Sequence, residues 1–286
     1  MLQAIIEHPT VTIGRARLSC ISVSEAVDRV LDLRTRTRPA LVVTANSDHI
    51  VRLEDDEALA EAYEAADLAV IDGQPLVWAS RLTPSPAPER VAGVDLFTAL
   101  CERADDDVRL FLLGGSEENS AATARVLAEN YPGVRIVGRN TDMLTDETSR
   151  PAIEQLHLSG ANVVAVFLGC PKQEIWVHRH RGVLPPAAYL CLGGTVDIIS
   201  GRLPRAGAMW RKLGLEWLHR LLLEPRRLWR RYLIDDPRFA LVAARSIRES
   251  RRGAEVERPK LPTLMRQPAL TPELTADRLK RELTAS

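Results

Sequence analysis

The chain alternates short, almost uniformly apolar runs with longer stretches whose apolar residues recur at helical spacing. The runs are ALVVTAN (Ala40 to Asn46), DLAVIDG (Asp67 to Gly73), VRLFLLGG (Val108 to Gly115), VRIVGR (Val134 to Arg139), NVVAVFLG (Asn162 to Gly169) and AYLCLGG (Ala188 to Gly194). Strands that are apolar on both alternating faces fit a sheet covered by helices on both sides. Helical patterns stand between them at Glu57 to Ala66, Ser116 to Tyr131 and Gln173 to His180, with Ser116 a natural N-cap. The alternation predicts an α/β fold, a Rossmann-like parallel sheet with helices on both faces.

The pattern changes after the last run. Residues 1–201 read as the α/β core. From 202 to 252 arginine becomes frequent and the apolar residues take helical spacing, which predicts a basic helical appendage. Pro225 cannot continue a helix but suits the first turn of a new one, so EWLHRLLLE and PRRLWRRY are expected to be two helices meeting at a bend. On the second, Leu228, Trp229 and Tyr232 alternate with Arg226, Arg227, Arg230 and Arg231, a pattern suited to an anionic membrane surface. Residues 253–286, rich in Pro and charge, read as a disordered tail with one weak helix after Thr271 and Pro272.

Composition narrows the class. Hydrophobic residues make up 45% and charged ones 27% of the 286, as in an ordinary soluble globular protein, and 38 Lys and Arg are matched by 38 Asp and Glu. The start MLQAIIEHPTVTIG has no basic segment leading into an apolar one, and no apolar run approaches the roughly 18–20 residues of a membrane span. A cytoplasmic protein is expected. Cys20, Cys101, Cys170 and Cys191 lie far apart, and read as reduced thiols rather than a disulfide or zinc framework.

In an open parallel sheet, ligands bind beyond the carboxyl ends of the strands. Here those ends carry Thr44-Ala45-Asn46, Asp72-Gly73-Gln74, Gly114-Gly115-Ser116, Gly169-Cys170-Pro171-Lys172-Gln173-Glu174 and Gly193-Gly194-Thr195-Val196-Asp197. Two of them combine glycines with a helix start, where unpaired N–H groups favour phosphate. Lys172 and Gln173, at one such start, could offset phosphate charge and hydrogen-bond a sugar or base. Taken singly these are weak signals: Asp72-Gly73 is a common turn, and neither glycine pair is a G-x-G-x-x-G or a P-loop. Their shared location is what points to a nucleotide-type ligand. No metal site is expected. Asp105-Asp106-Asp107 precedes a strand and so belongs at the opposite edge, and His178 and His180 diverge on a helix.

Six stretches in order, TAN (Thr44 to Asn46), DG (Asp72-Gly73), RVAGVDL (Arg90 to Leu96), LGCPKQEIW (Leu168 to Trp176), GGTVDIISGRLPRA (Gly193 to Ala206) and LEWLHRLLLEPRRLWRRY (Leu215 to Tyr232), resemble the WecG/TagA/CpsF family of bacterial glycosyltransferases. The resemblance implies an inverting, metal-independent transferase without a cofactor. It would move a sugar, of N-acetylmannosamine type or a hexose, from a UDP-sugar to a polyprenyl-diphosphate-linked saccharide. It implies peripheral attachment to the inner face of the plasma membrane. Carried over by motif, Asp72 is the general base, with Thr44 and Asn46 beside it. Gln173 would bind substrate by the same carry-over, and the strand-end reading adds Gly114, Gly115, Gly169, Lys172, Gly193, Gly194 and Asp197 on the donor side. Arg90, Arg205, Arg220, Arg227 and Arg231 would face the acceptor and diphosphate. The chain departs from the family pattern at Ser47-Asp48, Val196 and Gly207, which leaves the sugars open. Nucleic acid is not an expected partner, and a homo-oligomer is compatible with the sequence.

Two other classes compete. A haloacid-dehalogenase-like phosphatase would place an Asp at a strand end as AVIDG does, but needs a second Asp where Gln74 stands. An Arg-rich RNA-binding protein would explain the appendage, yet Trp217, Trp229 and Tyr232 have helix-core spacing rather than that of a stacking surface.

Overall fold

The computed structural model describes residues 8–86, 88–207, 209–210, 216–230 and 236–257. It contains β1 (Thr10–Ile13), β2 (Ala16–Ser19), α1 (Val23–Leu33), β3 (Ala40–Ala45), α2 (Ser47–Leu53), α3 (Glu57–Glu64), β4 (Leu68–Ile71), α4 (Gln74–Arg81) and α5 (Gly93–Glu102). There follow β5 (Arg109–Gly114), α6 (Glu117–Asn130), β6 (Arg135–Asn140), α7 (Asp146–Ser159), β7 (Val163–Phe167), α8 (Lys172–His180), β8 (Ala188–Cys191) and α9 (Thr195–Ile199). The C-terminal helices are α10 (Glu216–Leu223), α11 (Pro225–Arg230) and α12 (Asp236–Glu257). The chain divides into two compact units, residues 1–251 and 252–286.

The eight strands form one sheet in the order β1-β2-β4-β3-β8-β7-β5-β6. Apart from the antiparallel β1–β2 hairpin, every neighbouring pair is parallel. This is the α/β fold that the apolar runs predict.

Alternation along each central strand explains the two cores. Leu41, Val43 and Ala45 of β3 face one way, with residues of α2, α3, α8 and α12, including Ile50, Leu59, Val177 and Phe239. Ala40 and Val42 face the other way, with residues of α1, α5 and α9, including Val30, Phe97 and Val196. A strand with both faces buried admits a polar residue only where it finds a hydrogen-bond partner, so it reads as a nearly continuous apolar run. The strand β6 differs from that expectation. It ends the sheet, and its burial is partial along most of its length because only one neighbour, β5, covers its edge.

Helix α2 leaves β3 toward the first face, whereas α9 leaves the adjacent β8 toward the second. Divergence of two neighbouring connections opens a crevice at the carboxyl edge of the sheet. The expected bend in the C-terminal segment is present, with α10 and α11 meeting at Glu224 and Pro225. Helix α12 joins the first core: Phe239 and Ala243 are buried, and the Gly14 amide donates to Ser246 Oγ at 2.8 Å. The tail is expected over residues 253–286; residues 253–257 instead continue α12, and 258–286 lie outside the described residues.

Candidate active site

A cavity of about 660 Å³ occupies the crevice, a size suited to a small-molecule ligand. Its floor is formed by the ends of β3, β4, β7 and β8. Thr44, Asn46, Asp72, Gly169, Gln173 and Gly194 line it, as does Arg90, in the segment leading to α5. Glu216 and Trp217 of α10 and Phe239 of α12 complete the wall from the C-terminal segment.

Asp72 follows β4 and is half-buried. Its amide donates to Ala45 O at 2.7 Å, which continues the β3–β4 ladder one step past the strand and fixes the residue against β3. Thr44 is buried and donates its hydroxyl to Cys191 O at 3.0 Å, tying β3 to β8 beneath the cavity. Asn46 caps α2: its Oδ1 accepts from the amides of Asp48 and His49 at 3.1 and 3.4 Å. A bare helix end is thereby satisfied within the wall.

Gln173 is the most firmly oriented polar side chain of the wall. It is buried, its Oε1 accepts from the Gly193 amide at 3.0 Å, and its Nε2 donates to Glu174 Oε1 at 2.7 Å. Gly193 adopts φ +50, a left-handed conformation that costs other residues energy, and this turn presents its amide to Gln173. Burial pushes the Glu174 carboxyl up to about 7, outweighing the Gln173 hydrogen bond, which acts in the opposite direction.

Arg90 carries positive charge into the cavity. Its Nη1 donates to Glu216 at 2.7 Å, and its Nη2 lies 3.8 Å from Asp95. Burial works against the guanidinium, but the Glu216 hydrogen bond and charge, with the carboxylates of Asp72 and Asp95, raise its pKa net above the ordinary value. Arg52, also in the lining, donates to Asp48 at 3.0 Å.

Other expected site residues lie elsewhere. Lys172 is exposed and outside the lining: α8 begins there, and the next position, Gln173, is the one that turns inward. Gly114 and Gly115 end β5, beyond β7, and do not line the cavity. Gly114 adopts φ +93, a conformation other residues rarely take, and a Cβ there would stand 3.1 Å from the backbone carbon of Phe167, so the turn after β5 favours glycine. Gly193 supports Gln173 without lining the cavity. Asp197 accepts from Asn119 Nδ2 at 2.7 Å and pairs with Arg202 at 3.1 Å, away from the lining. Arg205 pairs with Asp95 rather than entering the cavity. Arg220 and Arg227 belong to α10 and α11, but their side chains, like all of Arg231, lie outside the described residues.

Sequence reasoning missed His49, Trp78 and Glu216 in the lining. It also missed the approach of His49, Cys170 and Glu174, whose ligand-type atoms lie within 4.8 Å of one another. Cys170 and Glu174 are four apart on the chain, but His49 is brought to them only by the order of strands in the sheet.

A mainly parallel sheet with a polar cavity beyond its carboxyl edge, holding a carboxylate, an arginine and an oriented amide, defines an α/β enzyme of the ligand-at-strand-ends type. The family described as Glycosyl transferase WecG/TagA/CpsF family matches residues 11–253. The chain belongs to that family, and is thus a glycosyltransferase of cell-surface polysaccharide synthesis.

Proposed function

We propose that the cavity binds a UDP-sugar and that Asp72 takes the proton from the hydroxyl of a polyprenyl-diphosphate-linked acceptor, so that the sugar is transferred with inversion. The observation carrying this reading is the meeting of Asp72, Arg90 and Gln173 in one cavity at the strand ends. Inversion needs one base on the acceptor side as the oxygen attacks the anomeric carbon, and the Asp72 carboxylate serves. The C–O bond to UDP breaks as the new glycosidic bond forms, and the diphosphate leaves with added negative charge. Arg90 offsets that charge once Glu216 yields it, and guanidinium geometry suits phosphate oxygens. Gln173, held by Gly193 and Glu174, offers a rigid amide to the sugar or base. Thr44 and Asn46 hold the floor beneath Asp72.

The cover supports a membrane-bound acceptor. Leu222, Leu223 and Trp229 on α10 and α11 are 66%, 43% and 49% exposed, beside the arginines of the PRRLWRR segment. Apolar and basic residues together favour the interface of an anionic bilayer. Among the described residues no helix is long and apolar enough to cross a membrane, so contact at the surface is the form of attachment proposed.

The test is turnover of UDP-sugars with a polyprenyl-diphosphate acceptor, without added magnesium or manganese, in wild type and Asp72→Asn. Transfer by the wild type and its collapse in the variant are expected. Full activity of Asp72→Asn would remove the base assignment, and phosphate release that needs magnesium would favour the phosphatase reading.

A further inference from the structure

Beside the groups assigned to sugar transfer, three side chains of metal-binding chemistry converge on one wall of the cavity. An imidazole nitrogen of His49, Sγ of Cys170 and a carboxylate oxygen of Glu174 lie within 4.8 Å of one another. They arrive from α2, from the β7–α8 connection and from the first turn of α8. Glu174 is fully buried, and while its Oε1 accepts from Gln173, its Oε2 is buried without a hydrogen-bond partner. A carboxylate oxygen at that depth is unfavourable until something positive meets it.

His49 is oriented from behind. Its Nδ1 lies 2.7 Å from the Tyr63 hydroxyl, and the two rings meet edge to face. Tyr63 is itself buried, so its hydroxyl is held in place against the ring. In the tautomer that donates from Nδ1 to Tyr63, Nε2 carries the lone pair. A metal-bound histidine is fixed in the same manner, by an outer partner on its second nitrogen.

We propose that His49, Cys170 and Glu174 bind one zinc-type divalent cation, with a fourth position open to the cavity that His49 and Cys170 both line. The donor set selects the ion: thiolate and imidazole favour zinc or cobalt, whereas magnesium and calcium prefer an all-oxygen set. Charge balances as well, because one thiolate and one carboxylate neutralise a dication and leave no net charge in the buried wall. Zinc bonds of about 2.0–2.3 Å place tetrahedral ligands about 3.3–3.6 Å apart, so the three side chains would close by about 1 Å around the ion. The three side chains are not among the groups assigned to base catalysis or to the diphosphate, although Glu174 also holds Gln173, and the metal-binding test does not depend on the reading of sugar transfer.

The test is a cobalt(II) titration of the full chain after chelator treatment and desalting. Thiolate-to-cobalt charge-transfer absorption saturating at one ion per chain, and displaced by zinc, is expected. Cys170→Ser removes that band. Glu174→Gln, which keeps the shape and the hydrogen bond to Gln173, weakens cobalt binding at least about 10-fold, and Tyr63→Phe weakens it about 10-fold by loosening His49. No charge-transfer band in the wild type at stoichiometric cobalt overturns the site, as does a band retained in Cys170→Ser or unchanged affinity in Glu174→Gln. If Cys170→Ser fails to fold, the wild-type titration and Glu174→Gln still decide. The readout is spectroscopic, so failure here leaves glycosyl transfer intact, and loss of transfer activity leaves the metal site intact.

Discussion

The wall formed by the strand ends and the cover formed by α10 to α12 are held by different forces. In the wall, Thr44, Asp72 and Gln173 are fixed by hydrogen bonds to backbone groups of neighbouring strands and loops, above two buried cores. The cover meets the rest of unit 1 through the Arg90–Glu216 pair, through Phe239 and Ala243, and through ion pairs such as Arg238–Asp55 and Arg245–Glu54. It also exposes Leu222, Leu223 and Trp229. On the proposed function the difference becomes a division of labour: positioning for chemistry would reside in the wall, whereas the cover would carry the partner surface and Glu216, the carboxylate an incoming diphosphate would displace from Arg90.

This division can be broken most severely at Asp72. Removal of a general base lowers rate by about 10²–10⁴-fold, so Asp72→Asn is expected to lower kcat by that factor, measured by UDP release. Next is Gln173→Ala, which leaves the Gly193 amide and the Glu174 carboxyl without their partner and deletes the oriented amide. Donor affinity is expected to fall about 10–100-fold by calorimetry. A smaller effect is expected on the cover. Changing Leu222, Leu223 and Trp229 together to Ser should slow transfer to a long-chain acceptor in anionic vesicles by about 10-fold, while turnover of a short-chain acceptor in solution is unchanged. Equal loss on both acceptors would mean that these residues shape the cavity instead. The smallest effect is Arg238→Ala. Its pair with Asp55 is exposed on both sides, and chemical denaturation should report a loss below about 1 kcal/mol.

The core of the fold was legible because burial on both faces leaves β3, β4, β5, β7 and β8 almost wholly apolar. The β1–β2 hairpin escaped notice: its strands are four residues each and alternate with Thr and Arg, and it joins the sheet at one end. Of the residues picked out at strand ends, Asn46 and Asp72, which follow their strands directly, and Gln173, in the first turn of the helix after β7, line the cavity. Gly114, Gly115 and Asp197 do not line it. These too follow strands, but which ends border the crevice depends on strand order, and that is set by packing over long sequence separations. Glu216 and Trp217 were hidden for another reason. On the chain they belong to an amphipathic helix, and only its docking turns them toward Arg90 and the cavity.

As the proposed general base, Asp72 is expected to act on the transition state and not on donor binding. The most direct measurement is to determine kcat and the donor Kd side by side for the wild type and Asp72→Asn. A donor Kd within about threefold of wild type is expected together with a kcat lower by about 10²–10⁴-fold. Wild-type kcat in the variant, or loss of donor binding sufficient to explain the loss of rate, would contradict it.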